Sequence, residues 1–275
     1  MQFRLGVILA QHGGVGHTST DKEEITMQDK PVALVTGANK GIGLQIAKDL
    51  AARGFTVLVG SRNLDRGETA AKSVGADARA LQLDVTNQAS ITAAAERIRN
   101  GFGRLDVLVN NAGVSHAGKP GGPFPDSAQS GLLTVASLDD VRAVFETNVF
   151  GVVAVTQAML PLLREAPAGR IVNLGSTGGS LTWNSNPTNP HRAMFGAYSS
   201  SKTALHAITL AFAFALESTG IKVNAACPGF TSTALNNFAG TRTVEQGARE
   251  AVRLALIGAD GPTGTFSDED GPVAW

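Results

Sequence analysis

The sequence predicts an α/β fold, a single domain built on a doubly wound parallel sheet with helices on both faces. Three observations carry this. Short, wholly apolar runs and helical stretches alternate from Pro31 onward. The first run, Val32-Ala33-Leu34-Val35, has no polar positions, as expected of a strand buried on both faces. A glycine-rich turn, Thr36-Gly37-Ala38-Asn39-Lys40-Gly41-Ile42-Gly43, then joins the first strand to the first helix.

Each element has its own signal. After Val32–Val35, a helical pattern runs from Ile42 to Arg53 and stops at Gly54. Thr56 to Val59 is the second strand, Asn63 to Lys72 a helix, and Ala78 to Leu83 the third strand. Helix follows from Gln88 to Arg99, then a fourth strand at Val107-Leu108-Val109. Asp139 to Leu163 reads as one long helix with Ser137 as its N-cap. Ile171 to Leu174 is the fifth strand. The next helix carries Tyr198 and Lys202 to about Glu217 and ends near Gly220. Val223 to Ala226 is the sixth strand, Thr243 to Leu256 the last helix, and Thr263 to Phe266 a short seventh strand. Strict alternation of this kind puts parallel strands under helices, and ligands then bind at the carboxyl ends of the strands, where strand order reverses.

Composition narrows the function. The chain has 275 residues, 43 % hydrophobic and 17 % charged, enough for one large core. With 23 basic and 23 acidic residues and no basic stripe, nucleic acid is not an expected partner. Cys227 is the sole cysteine, which excludes an intrachain disulfide and cysteine-cluster zinc and fits a reducing, cytoplasmic setting. No apolar run approaches the length of a membrane span. Residues 1–30 read as a flexible extension, with Met27 as an alternative start. Their apolar stretch, Phe3 to Ala10, lacks the flanks of a signal peptide. Residues 31–275 form the domain. Two loops, Ser115 to Ala136 and Thr177 to Gly196, are longer than a connection needs and read as lids or insertions.

The glycine turn is the first functional signal. Glycines at Gly37, Gly41 and Gly43 let the backbone turn tightly and let a pyrophosphate approach the free N–H groups of a helix start. Asn39, Lys40 and Ile42 fill the same cradle. The G-K-[ST] ending of a P-loop is absent, which disfavours ATP hydrolysis. Arg62 stands nineteen residues after Gly43, about where a carboxylate would hold the ribose of NAD or an arginine the phosphate of NADP. Arg62 and Lys40 together suit a dianionic phosphate, so the expected cofactor is NADP(H).

The second signal is Tyr198 and Lys202, four residues apart and therefore on one helix face. A cation that close stabilises phenolate, so the Tyr198 pKa is expected to fall from about 10 toward working pH. An isolated pair of this kind is otherwise a solvated helix face. The histidines His191 and His206 read as structural or solvent-facing, and no metal site is expected. Leu174 stands where G-x-S-x-G would need glycine, so Ser176 is not a hydrolase nucleophile.

The ordered set resembles the classical short-chain dehydrogenase/reductase family, over Pro31 to the C-terminus. The turn Thr36-Gly37 to Gly43, the segment Asn110-Asn111-Ala112-Gly113 and the pair Tyr198 and Lys202 carry the likeness. GANKGIG, Arg62 and the ending Asp268 to Trp275 look closest to NADPH-dependent carbonyl reductases. The resemblance implies a Rossmann-type fold, an adenine contact at Asp84 and Val85, and cofactor contacts at Asn111, Ala112 and Gly113. It implies nicotinamide contacts at Pro228, Gly229 and Thr231, and places Tyr198 and Lys202 against the cofactor as well. It also implies catalytic roles for Asn148, Ser176, Tyr198 and Lys202. Tyr198 is then the general acid or base, Lys202 lowers its pKa, Ser176 holds the carbonyl oxygen, and Asn148 anchors a water.

The expected reaction is reversible hydride transfer between NADPH and a small ketone or aldehyde. An alcohol- or steroid-type dehydrogenase acting oxidatively, or a non-catalytic NADP-binding sensor, stands as the alternative. Trp183, Phe195, Phe230, Leu235 and Phe238 fall in segments able to line an apolar cleft, so the substrate is expected to be hydrophobic. The interval of 22 residues from Ser176 to Tyr198 is longer than most of the family shows, which leaves monomer and homo-oligomer both open.

Overall fold

The computed structural model of the chain describes residues 30–115 and 129–275. The expected N-terminal extension, apart from Lys30, and residues 116–128 of the first long loop lie outside the described residues. Seven parallel strands form one sheet: β1 Val32–Val35, β2 Thr56–Ser61, β3 Ala78–Gln82, β4 Val107–Asn110, β5 Arg170–Leu174, β6 Lys222–Ala226 and β7 Phe266–Asp268. Their order is β3-β2-β1-β4-β5-β6-β7, and an eighth strand, β8 Gly271–Pro272, pairs antiparallel with β7. Strand order reverses between β1 and β4, which opens the crevice where such sheets take ligands.

The helices are α1 Gly41–Ala51, α2 Leu64–Val74, α3 Gln88–Phe102, α4 Leu138–Phe145, α5 Gly151–Arg164, α6 Leu181–Ser185, α7 Ala197–Ala215 and α8 Val244–Ala255. Their starts are written in local chemistry. Asn63, Asn87, Ser137 and Thr243 each accept a backbone N–H of the first turn. At the other end, Gly103 and Gly220 adopt positive φ to close α3 and the turn after α7.

Two apolar layers hold the sheet, and residue parity along each strand assigns its side chains to one or the other. Ala33, Val35, Val57 and Val59 pack with Ile46 and Leu50 of α1 and Ala248 and Ala251 of α8. Val32, Leu34, Leu58 and Leu108 face the other way, onto Ile91 and Ile98 of α3 and Val155, Met159 and Leu162 of α5.

Four expectations need correction. The long helix is present from Leu138 to Arg164, but a π turn at Glu146–Phe150 interrupts it. That stretch is long and apolar enough to cross a membrane by length and composition, which the reading of the sequence overlooked. It is a core helix here, with Val155, Met159, Leu162 and Leu163 buried against α3 and the sheet. The seventh strand begins three residues later than expected, and the hairpin partner β8 was not foreseen. Asp268 Oδ1 accepts the Asp270 N–H at 3.0 Å, and Gly271 has φ 133, so the acidic segment makes the turn. Finally, Thr177–Gly196 is not an irregular loop, since it contains a 3₁₀ turn, α6 and a second 3₁₀ turn at Arg192–Met194.

Candidate active site

The glycine turn and the segment after β4 are built as one piece. Thr36 Oγ1 accepts the N–H groups of Asn111 and Ala112, both at 3.0 Å. The Asn111 amide donates back to the carbonyls of Thr36 and Gly37 at 2.8 and 3.2 Å. Gly37 has φ 63, and a Cβ there would stand 2.9 Å from Ala112 Cα. A Cβ on Gly43 would overlap the Asn111 amide. We therefore expect Gly43→Ala to break the Asn111 bonds, lower stability by about 1–3 kcal/mol and weaken dinucleotide binding, read by thermal unfolding and cofactor titration.

The start of α1 fits an anion. Lys40 occupies the cap position without a side-chain cap bond, and no acidic residue lies in the first turn. Lys40 and Arg62 are both exposed, Arg62 just past the end of β2. The Asp84 carboxylate is engaged by Thr86, at 3.0 Å from its N–H and 2.7 Å from its hydroxyl, which sets the turn after β3. Val85 packs against Gly151 at the start of α5. Beyond β6, Gly229 has φ 66, and Thr231 donates to the Pro228 carbonyl at 2.9 Å.

The residues expected to handle the proton meet at the ends of β4 and β5. Ser176 follows β5, accepts the Gly178 N–H at 3.1 Å and hydrogen-bonds the Tyr198 phenol. Lys202 Nζ lies 5.8 Å from the Tyr198 ring centroid and donates to the Leu174 carbonyl at 2.7 Å. Asn148, on the π turn, is 1 % exposed. Its amide donates to Val114 O and Ser201 Oγ at 2.8 and 3.0 Å, and its Oδ1 accepts the Val114 N–H at 2.9 Å. That side chain is thus committed to protein partners, and it ties the segment after β4 to α7. The π turn, which widens the helix there, is what carries Asn148.

The electrostatics overturn one expectation. The Tyr198 pKa does not fall; burial raises it to about 12 against a partial lowering by the Ser176 hydrogen bond. Burial likewise lowers Lys202 to about 8. In this geometry the ammonium is directed at the Leu174 carbonyl, and desolvation of the phenol dominates. Cys227 opposes the Lys202 shift only when ionised, and burial holds it as a thiol well into the alkaline range.

Three functional hydroxyl and imidazole groups escaped the sequence reading. Thr36 was read only as part of the turn. Ser201 Oγ donates to the Tyr198 carbonyl at 2.6 Å while accepting from Asn148, and its place three residues after the tyrosine was the available signal. His206, expected to be structural or solvent-facing, is buried and so takes the structural place. His191 is exposed. Among the described residues no group of three His, Cys, Asp or Glu could hold a metal ion. A depression between α1 and α8 is lined by Arg53, Arg249 and Arg253 and by none of the residues around Tyr198. Its arginines pair with the Asp49 carbonyl, Glu269 and Glu250.

A glycine cradle at β1, a tyrosine–lysine pair on α7 and a serine after β5 converge on one crevice. The family model described as short chain dehydrogenase matches residues 31–243. The chain belongs to the short-chain dehydrogenase family. Among its relatives, a short-chain dehydrogenase of Penicillium roqueforti is 37% identical over 240 residues, covering 84% of this chain and 90% of the relative. The (-)-isopiperitenone reductase of Mentha piperita is 33% identical, with 88% and 97% covered. Among solved structures, the 3-ketoacyl-(acyl-carrier-protein) reductase of Brucella melitensis complexed with NADH superposes with a TM-score of 0.72 at 27% identity, covering 87% of this chain and 96% of that chain. This short-chain dehydrogenase is accordingly an oxidoreductase of carbonyl and alcohol groups that works with a nicotinamide cofactor.

Proposed function

We propose that the chain is an NADPH-dependent reductase of apolar ketones and aldehydes. The observation that carries this is the Tyr198 phenol, hydrogen-bonded to the Ser176 hydroxyl beside the crevice that the glycine turn opens. The bound cofactor supplies the hydride. The chain's residues manage the oxygen. Tyr198 holds a proton at neutral pH and delivers it as negative charge develops on the substrate oxygen, acting as general acid. Ser176 donates to the same oxygen, a bond that strengthens with that charge. Lys202 and Asn148 hold the surrounding main chain, at Leu174 and Val114.

Apolar specificity is supported by exposed Leu181 and Trp183 on α6, and by Phe230, Leu235 and Phe238 after β6. Phe195 is half-buried between the two groups in sequence. Asn237 and Phe238 have φ 51 and 60, left-handed conformations that cost a non-glycine residue and mark a constrained loop. The choice of NADPH is supported by Arg62 and Lys40, with no carboxylate at the end of β2.

Initial rates on a panel of apolar ketones and aldehydes test the function. We expect turnover with NADPH, and NADPH binding without turnover on any of them would refute it. For the cofactor, kcat/KM with NADPH should exceed that with NADH. Arg62→Asp should narrow the gap roughly tenfold or more, since a charge-assisted contact is worth about 1.5–3 kcal/mol. A preference for NADH in the unaltered protein would refute the charge argument.

A further inference from the structure

Tyr198, Lys202 and His206 recur every four residues on α7, so the three side chains share one helix face. The lower two grip the chain just after β5. Lys202 Nζ takes the Leu174 carbonyl at 2.7 Å, and His206 Nε2 accepts the Ser176 N–H at 3.4 Å. They thus hold the main chain on either side of Gly175, whose own N–H donates to Ala226 O at 2.8 Å. Gly175 is what permits the approach, since a Cβ there would stand 2.8 Å from His206 Nε2 and 3.1 Å from the Phe266 ring.

His206 is 3% exposed. Its ring centroid lies 4.2 Å from that of Phe266 and 5.5 Å from that of Trp275. Burial first, and then the Lys202 charge, lower its pKa to about 4, which keeps the imidazole neutral at physiological pH. An imidazole accepting at Nε2 carries its proton on Nδ1, and Nδ1 is buried without a hydrogen-bond partner. An unpaired buried donor is a cost that an apolar residue in this wall would not incur. The contact with Ser176 is what a histidine supplies there and an apolar residue does not. Trp275 meets the ring edge-on and also packs against Phe266, so the three rings form one cluster. Its carbonyl accepts the Thr182 N–H at 3.0 Å, joining the chain end to α6 in the segment that precedes Tyr198.

We infer that His206, backed by Trp275, is a positioning residue that fixes the Ser176 main chain so that the serine hydroxyl meets the Tyr198 phenol. Its effect on rate rests on the proposed reductase reading; its effect on the Ser176 amide does not. The experiment therefore measures both on the full chain, as hydrogen exchange of the Ser176 amide by NMR and as kcat, KM and NADPH affinity.

In His206→Phe we expect faster Ser176 exchange and a kcat roughly 10–100-fold lower, with NADPH affinity retained, as for a reacting group displaced by about an ångström. His206→Gln, which places an acceptor near the Nε2 position, should recover most of both. Trp275→Ala should move both in the same direction by less, and it carries the test together with His206→Gln if His206→Phe does not fold. Unchanged Ser176 exchange in the folded variants, or a glutamine no better than phenylalanine, would overturn the inference. If the unaltered protein reduces no carbonyl, the functional reading fails and amide exchange alone decides the positioning role.

Discussion

Tyr198→Phe is expected to lower carbonyl reduction by roughly 10²–10⁴-fold, the range for removing a general acid, while leaving NADPH binding intact. The substitution deletes one oxygen, and with it the hydrogen bond to Ser176 and the proton that the substrate oxygen needs. The ring itself and the glycine turn stay as they are, so kcat should fall rather than cofactor affinity. Tyr198 is the only tyrosine in the chain, so the same variant also removes the whole tyrosinate signal. In the unaltered protein that signal should appear near pH 12 rather than 10. A folded pKa above the unfolded one stabilises below the unfolded value, and the contribution is lost as pH rises toward 12. Tyr198→Phe should therefore flatten the loss of stability between pH 10 and 12, measured by denaturant unfolding. Substantial residual turnover would remove Tyr198 from the role of acid.

Lys202→Met is expected to lower turnover by loosening the main chain at Leu174 and yet to stabilise the fold at neutral pH. Burial holds Lys202 near 8 against an ordinary 10.5, so its ammonium is carried at a cost of about 3 kcal/mol below pH 8. The sign follows from the depressed pKa. Stability rises as pH climbs from about 8 to 10.5 and is lost as pH falls through that window. Methionine removes this cost and also the bond to Leu174 O, worth about 1 kcal/mol. The net gain at pH 7 should be about 2 kcal/mol, vanishing above pH 10.5, where the variant becomes the less stable form. Denaturant unfolding at the two pH values reads the crossing. A variant less stable than the parent at both would show that the ammonium is well solvated in the folded chain.

The two predictions turn on details that the sequence carried unequally. The parallel sheet was legible because each strand is an apolar run and each helix start bears its own cap, as Asn63, Asn87 and Thr243 show. The glycine turn and the tyrosine–lysine spacing were legible because backbone sterics and helix period act locally. The π turn under Asn148 was not, because one extra residue per turn leaves no mark in an apolar helical pattern. The rise in the Tyr198 pKa was hidden as well. Spacing places Lys202 beside the ring, but the Leu174 carbonyl that claims the ammonium comes from a strand 28 residues away. The His206 contact has the same origin, a separation of 30 residues bridged only by the fold.

The most direct measurement follows deuterium from NADPH labelled at both hydride positions of the nicotinamide into the product of an apolar ketone. One deuterium on the carbon that was the carbonyl, with the label transferred in step with NADPH consumption and lost in Tyr198→Phe, is the predicted result. NADPH oxidised without label in the product, or bound and never oxidised, would contradict the assignment of this chain as a carbonyl reductase.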